Sequence, residues 1–315
     1  MSEVTQLIHH YLRHNKKFPH MLCAGCGHGI LLGSLIRSVH NAGLSKDEVV
    51  VISGIGCSGR LAVYVDFNTI HTTHGRALTF ATGIKMANPE LVVIVLMGDG
   101  DALSIGGNHL IHAARRNIGV NAIILNNEIY GMTGGQCSST TPQDCFSMTT
   151  PFGQLEKSFD IVDMALASGA NFVARTTAFH AQLTDEVIGQ ALANPGFNLI
   201  EFFSPCHTQY GRKNKYKNAI AMYQDLKSKT MDVDKYKALE ESKREGVMPI
   251  GVFLKRDDPA LETRYAGVRA KLQEAKQKKA EAAKAAQAKP AKAKEPKPDK
   301  GAKGKETKQD KGDKA

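Results

Sequence analysis

The chain has 315 residues, with 41 Lys+Arg against 31 Asp+Glu for a net charge of +10, 42% hydrophobic residues, 29 Gly, 6 Cys and no Trp. That length supports one large or two ordinary domains with a sizeable core, and the composition excludes a disordered chain, a collagen-like repeat and a small disulfide scaffold. The longest apolar run, Leu91–Met97, has seven residues where a membrane-spanning helix needs about 20, so no membrane partner is expected. Residues 1–18 form a polar N-terminal arm rich in His and Lys, without the apolar stretch of a signal peptide. A cytoplasmic location is the expectation.

From Pro19 onward, short β-branched runs alternate with amphipathic stretches. The pattern predicts a helix over Gly29–Asn41, a strand at Val49–Ile52 and a helix over His74–Ala87. A strand at Leu91–Met97, a helix over Gly107–Asn117 and a strand at Ala122–Leu125 follow. Further on come a helix over Ile161–Ser168, a weaker strand at Phe172–Ala174, a helix over Ala181–Ala193 and a strand at Asn198–Phe203. Such alternation implies an α/β fold, a mostly parallel sheet with helices on both faces. Residues 19–255 are read as one domain, of which 216–255 is a peripheral extension. An exposed helix is expected over 256–289, rich in Ala, Lys, Gln and Glu, and a disordered Lys/Pro/Gly-rich tail over 290–315. Residues 271–315 hold 15 Lys, no Arg and 7 acidic residues, a net of +8, which leaves +2 for residues 1–270. The basicity belongs to the tail, and no Arg or aromatic residue interleaves with its lysines. Nucleic acid is therefore not expected as the main partner.

In parallel sheets ligands collect outside the carboxyl ends of the strands, so the residues after each strand carry the chemistry. Gly54-Ile55-Gly56-Cys57-Ser58-Gly59 is a formal GxGxxG, yet no Asp or Glu lies between Phe67 and Pro89 to hold a ribose. These glycines instead let the backbone approach a bulky anion. Gly98-Asp99-Gly100-Asp101 follows the next strand, and Asn126-Asn127 ends the one after it. Asp99 and Asn127 are one strand–helix–strand unit apart, which sets a carboxylate and an amide oxygen side by side. Hard oxygen ligands with open backbone N–H groups beside them suit Mg²⁺ bridging a diphosphate. Cys23-Ala24-Gly25-Cys26 is a CxxC, and Cys57 and Cys206 each follow a strand. Four thiolates converging on that edge can hold a zinc ion or an iron–sulfur cluster, and spacing does not choose between them. His74 and Arg76, at a helix start, offer charge-assisted bonds to a diphosphate or a carboxylate. His109 and His112, three apart on a helix, read as packing or surface residues. Cys137 and Cys145 read as free loop cysteines without an assigned role.

Gly98-Asp99-Gly100 followed by Asn126-Asn127 resembles the thiamine-diphosphate motif of thiamine-dependent enzymes. That resemblance implies Mg²⁺ held by Asp99, Asn127 and the backbone carbonyl of Ile129. The wider set narrows the family: Cys23-x-x-Cys26-Gly27-His28, Gly56-Cys57-Ser58, His71-Thr72-Thr73-His74-Gly75-Arg76 and Ile105-Gly106-Gly107-Asn108-His109. With Ile129-Tyr130-Gly131-Met132-Thr133-Gly134-Gly135-Gln136 and Ser204-Pro205-Cys206, it resembles the β subunit of 2-oxoacid:ferredoxin oxidoreductases over about Pro19 to Gly211. The resemblance implies a [4Fe–4S] cluster on Cys23, Cys26, Cys57 and Cys206. It implies thiamine diphosphate contacts at Ile55, Gly56, Cys57, Ser58, His74, Gly75, Arg76, Gly98, Gly100, Asp101, Gly131 and Met132. The implied activity is coenzyme A-dependent oxidative decarboxylation of a 2-oxoacid, most like the 2-oxoglutarate type, with electrons passed to ferredoxin. The glutamate that activates the cofactor is expected on an α subunit carrying the pyrimidine domain, and no certain catalytic residue is assigned here. Pyruvate or a branched-chain 2-oxoacid stays open as substrate, as does a non-redox thiamine-dependent decarboxylase or synthase.

Overall fold

The computed structural model describes residues 3–15 and 19–287. The tail expected over 290–315 lies outside the described residues, as do parts of the N-terminal arm. The body runs to Gly267, and a second unit begins at Val268. The body is built around β1 (Val49–Ser53), β2 (Asn68–His71), β3 (Val92–Gly98), β4 (Val120–Asn126), β5 (Phe172–Thr177), β6 (Asn198–Phe203), β7 (Thr230–Asp232) and β8 (Met248–Lys255). These strands form one sheet in the order β2-β1-β3-β4-β6-β5-β8-β7, parallel except where β8 runs antiparallel to β5. The helices of the body are α1 (Glu3–Tyr11), α2 (His28–Asn41), α3 (Leu61–Tyr64), α4 (Ala77–Ala87), α5 (Gly107–Arg116), α6 (Ile161–Ala167), α7 (Ala181–Ala193), α8 (Ala219–Lys229) and α9 (Val233–Ala238).

Alternate strand residues feed opposite cores, as the period of two requires. Val49, Val51, Ile94, Leu96, Ile123 and Leu125 pack on one face against Leu31, Leu35, Ile36 and Val39 of α2 and Val187, Ile188 and Ala191 of α7. Val50, Ile52, Val93, Val95, Ala122 and Ile124 pack on the other against Leu78 and Ala81 of α4, Leu110 and Ala114 of α5, and Ile161 and Ala165 of α6. Every one of these side chains is buried. The expected layering is thus observed. α4 starts at Ala77 rather than His74, because Arg76 is the cap and residues before it run out from β2. Three strands were not expected: β2, whose side chains are half-exposed or exposed, and β7 and β8, which join the sheet from the stretch read as peripheral.

α10 (Leu261–Gln287) is the expected C-terminal helix. Its start is held by Leu261 N–H on the Asn117 carbonyl (2.9 Å) and by Glu262, which accepts from Gly119 N–H (3.2 Å). Residues 268–284 of the second unit are exposed throughout. Among the described residues, no helix is long and apolar enough to cross a membrane.

The strand order sets the site. After β1 the chain first adds β2 on one side, then returns to add β3 on the other, so the topology reverses between β1 and β3. Crevices at such reversals are where open α/β sheets bind ligands. β1, β3, β4 and β6 are neighbours in that order, which aligns the residues after each of them on one edge.

Candidate active site

Gly54 N–H donates to the Leu96 carbonyl (2.9 Å), carrying the β1 strand into its loop. A β-carbon on Gly54 would collide with the Asp101 carboxylate, so only glycine lets the two loops close. Asp101, buried, accepts from Gly75 N–H at Oδ1 (2.7 Å) and from Ile55 N–H at Oδ2 (3.3 Å), and His74 Nδ1 stands 2.6 Å from the same Oδ1 as Gly75. Burial raises its pKa, and the Gly75 N–H opposes the shift. One carboxylate therefore ties together the three segments that follow β1, β2 and β3. The Gly100–Ile105 segment is a π-helical turn, a geometry often found at functional positions, and Tyr130 Oη donates to the Gly100 carbonyl (3.1 Å).

Asp99 is buried beside it. Its Oδ2 accepts from Ser138 Oγ and Thr140 Oγ1, both at 2.6 Å. Burial pushes the carboxyl above its usual range, and the two hydroxyls pull it back. Asp99 follows β3 and Asn127 follows β4, two adjacent strands whose register pairs Gly98 with Leu125. Asn127 Oδ1 accepts from Ile129 N–H (3.3 Å), which bends the chain back on itself, with Glu128 at a φ of 60°. Asp99, Asn127 and Ile129 line one cavity of about 100 Å³. So do Ile55, Gly56, Cys57, Ser58, His74, Gly98, Gly100, Asp101, Gly131 and Met132. Gly75 holds Asp101 from behind, and Arg76 turns its guanidinium to His109 instead. Ser58 Oγ is buried in this wall without a hydrogen-bond partner among the described residues.

The four cysteines singled out in the sequence line a second cavity of about 330 Å³. Cys23 and Cys26 stand on a turn closed by Cys26 N–H to the Cys23 carbonyl (3.1 Å), ahead of α2. That turn needs Gly27, which caps α2 at a φ of 86° and whose absent β-carbon leaves room for Ala178. A β-carbon on Gly131 would lie 3.3 Å from Cys206 Sγ and 3.8 Å from Cys57 Sγ, which shows how closely those two thiols approach. Among the described residues, no three Cys, His, Asp or Glu side chains already stand in metal-ligand geometry; the thiols ring the cavity. Burial pushes the Cys57 thiol up to about 11 and raises Cys26 as well, with the neighbouring thiolates adding to both. Four cysteine sulfurs around one cavity are the donor set that zinc and iron–sulfur clusters use.

The two cavities share a wall made of His28, Cys57, Asn127, Gly131 and Met132. Burial pushes the His28 ring down to about 4, so it is neutral at pH 7. Cys137 and Cys145 lie elsewhere: Cys137 Sγ meets the Ser138 carbonyl (3.4 Å) and Cys145 Sγ meets Tyr210 Oη (3.2 Å). Sequence reasoning missed Ser138 and Thr140, whose one signal was a Ser-Ser-Thr-Thr run in a segment otherwise read as loop. It also left His28 without a role, although the residue directly follows the CxxC turn.

The family model of the thiamine pyrophosphate enzyme C-terminal TPP-binding domain matches residues 54–202. The chain is 45% identical over 251 residues to the 2-oxoglutarate synthase subunit KorB of Methanothermobacter thermautotrophicus, covering 80% of this chain and 87% of that protein. It is 53% identical over 198 residues to KorB of Archaeoglobus fulgidus, covering 63% and 73% respectively. A 2-oxoglutarate:ferredoxin oxidoreductase from Magnetococcus marinus, solved with 2-oxoglutarate, coenzyme A and succinyl-CoA bound, superposes with a TM-score of 0.74 at 32% identity, covering 84% of this chain and 90% of that one. Residues 54–202 thus match a thiamine pyrophosphate-binding domain, and the chain belongs to the family of KorB and 2-oxoacid:ferredoxin oxidoreductase β subunits.

Proposed function

We propose that this chain is the β subunit of a coenzyme A-dependent 2-oxoglutarate:ferredoxin oxidoreductase that works in the cytoplasm with an α subunit. The observation that carries the reading is the shared wall: the cavity of Asp99 and Asn127 and the cavity of the four cysteines meet at His28, Cys57, Asn127, Gly131 and Met132. A redox thiamine enzyme needs its two prosthetic groups adjacent, whereas a non-redox one needs no cysteine cavity at all.

The residues fit both groups. Asp99 and Asn127 side-chain oxygens and the Ile129 carbonyl suit Mg²⁺, which takes its remaining ligands from phosphate and water. Ser138 and Thr140 hold Oδ2 of Asp99, which orients the carboxylate toward the cavity. Unpartnered Ser58 Oγ and the glycine-flanked backbone at 55–58 and 98–100 are suited to phosphate oxygens. Cys23, Cys26, Cys57 and Cys206 would hold a [4Fe–4S] cluster. When bound, thiamine diphosphate would supply carbanion chemistry for losing CO₂ from the 2-oxoacid before acyl transfer to coenzyme A, and a cluster would supply one-electron transfer toward ferredoxin. The chain's own part is to bind the diphosphate, keep a neutral His28 between the two cavities, and exclude water with Ile129 and Leu125.

The cavity of about 100 Å³ is well below the 300–1,000 Å³ that encloses a whole ligand of cofactor size. It takes one end of the cofactor. A partner subunit covers the other end and brings the activating glutamate. The test is to co-purify the complex without oxygen and assay dye reduction across 2-oxoacids with coenzyme A, alongside iron and sulfide content. Reduction dependent on 2-oxoglutarate, with about four iron atoms per β subunit, is expected. A colourless, iron-free protein that still binds thiamine diphosphate would instead identify a non-redox thiamine enzyme, and activity of the isolated chain would remove the need for a partner.

A further inference from the structure

The segment leaving Cys206 is basic and stays beside the cysteine cavity. From Phe202 to Gln224 there is no Asp or Glu, while Arg212, Lys213, Lys215 and Lys217 fall within six residues. Gly211 N–H donates to the Cys206 carbonyl (2.9 Å) and Tyr216 N–H to the Gly211 carbonyl (2.9 Å), so the segment folds back tightly on the cysteine. It then reaches Ala219, and a β-carbon on Gly25, inside the CxxC turn, would stand 2.9 Å from Ala219 Cβ. The basic stretch therefore bridges from one pair of thiols to the other, along the outside of their cavity. Arg60, which lines that cavity, adds a fifth cation.

None of these five cations is paired with a carboxylate among the described residues. The nearest acid along the chain, Asp225, is already taken by Tyr216 Oη (2.6 Å) and Lys229 Nζ (2.7 Å). Arg60, Arg212, Lys215 and Lys217 are exposed. Exposed cations are stable in water singly, but a run of one sign with no acid among them, beside the cysteine cavity, forms an electrostatic footprint for something acidic. The charges are spread along the segment rather than converging on one point, which suits a protein surface and not a small anion.

We infer that Arg212, Lys213, Lys215 and Lys217, with Arg60, form the docking surface on which an acidic one-electron carrier protein receives electrons from the cysteine cavity. This rests on the reading of that cavity as a cluster site. The carrier's carboxylates meet the cations at the rim, and the approach places its own redox centre against the Cys206 and CxxC side of the cavity. Each encounter takes one electron, so two carriers are reduced per 2-oxoacid consumed.

The experiment uses the anaerobically purified complex carrying Arg212→Glu, Lys215→Glu and Lys217→Glu together. Its substrates are an acidic [4Fe–4S] ferredoxin and, in parallel, methyl viologen. The expected result is a 10- to 100-fold fall in kcat/KM for ferredoxin at low salt, a flattened salt dependence and unchanged viologen reduction. Arg212→Lys, Lys215→Arg and Lys217→Arg together are expected to keep wild-type ferredoxin kinetics. Unchanged ferredoxin kinetics in the charge-reversed complex would overturn the inference, as would dissociation of the subunits, which would make the segment a subunit interface. Loss of single-stranded DNA binding with ferredoxin kinetics intact would assign the surface to nucleic acid and also overturn it. A wild-type complex that reduces neither acceptor would sink the cluster reading itself, a separate failure seen before any variant is made.

Discussion

Asp99 was legible as a ligand candidate because Gly-Asp-Gly follows an apolar run and an Asn pair ends the next one. What orients it was not legible, because Ser138 and Thr140 lie 39 and 41 residues further along and reach it only through the tertiary course of the loop after β4. Groups that hold a ligating carboxylate typically tune metal affinity by about 10–100-fold. Thr140→Val is accordingly expected to weaken Mg²⁺-dependent thiamine diphosphate binding to the complex by that factor, measured by calorimetry, while Thr140→Ser retains it. His28 makes a different prediction. Burial lowers its folded pKa to about 4, whereas an unfolded histidine titrates near 6.5. Below 6.5 the unfolded chain takes up a proton that the folded chain refuses until about pH 4, so acidification across this window favours unfolding. The contribution of this one ring is roughly 3 kcal/mol, lost progressively as pH falls from 6.5 to 4. Urea unfolding of the iron-free chain at several pH values should show a shallower pH dependence for His28→Gln; an identical slope would mean the ring is solvated.

At the scale of elements, strand β5 and strand β6 carry a charge pair into the interior of the sheet. Arg175 and Glu201 are register partners, their side chains meet at 2.6 Å, and both are nearly inaccessible. Asp160 (2.7 Å) takes the other side of Arg175, and Asn126 Nδ2 donates to Glu201 (2.7 Å). Removing one partner leaves a buried charge without compensation, which costs about 3–5 kcal/mol. Arg175→Leu should therefore destabilise by that amount, and adding Glu201→Leu should recover most of it, read from urea midpoints; equal destabilisation by both would mean the network is not coupled. The sequence showed β5 only as a weak apolar run, since its second half is Arg175-Thr176-Thr177. β2 was hidden for a related reason: Asn68-Thr-Ile-His is an edge strand without an apolar face. β8 was obscured by Pro249 and Gly251, residues that usually argue against a strand but are tolerated near an edge. The helices α2, α5, α6 and α7 were legible to within a residue because each buries one stripe on a sheet whose alternation was itself readable.

For the molecule as a whole, the net charge of +10 divides into +2 for residues 1–270 and +8 beyond them. A chain ending at Ala270 is expected to lose salt-sensitive retention on a polyanion matrix while its unfolding free energy stays within about 0.5 kcal/mol, the usual range for exposed positions. A large fall in stability on truncation would show that the exposed helix packs on something. The layer order, the helix-covered parallel sheet and the gathering of the candidate residues at the strand ends were all readable, because they follow from periodicity and from residue types that fold at the edge. The partition of that edge into two cavities was not, since it depends on which side chains from β1, β4 and β6 stand between them.

Because five residues belong to both cavities, damage on one side is not confined to it. If the proposed cluster is held on the four thiols, oxygen that strips its iron would free Cys57 and relax the 55–58 loop, which also lines the Asp99 cavity. Aerated complex should then release thiamine diphosphate in step with its loss of visible colour, the two following one time course. The protein would report its own oxidation by giving up its organic cofactor, and a damaged subunit would leave no half-working enzyme behind.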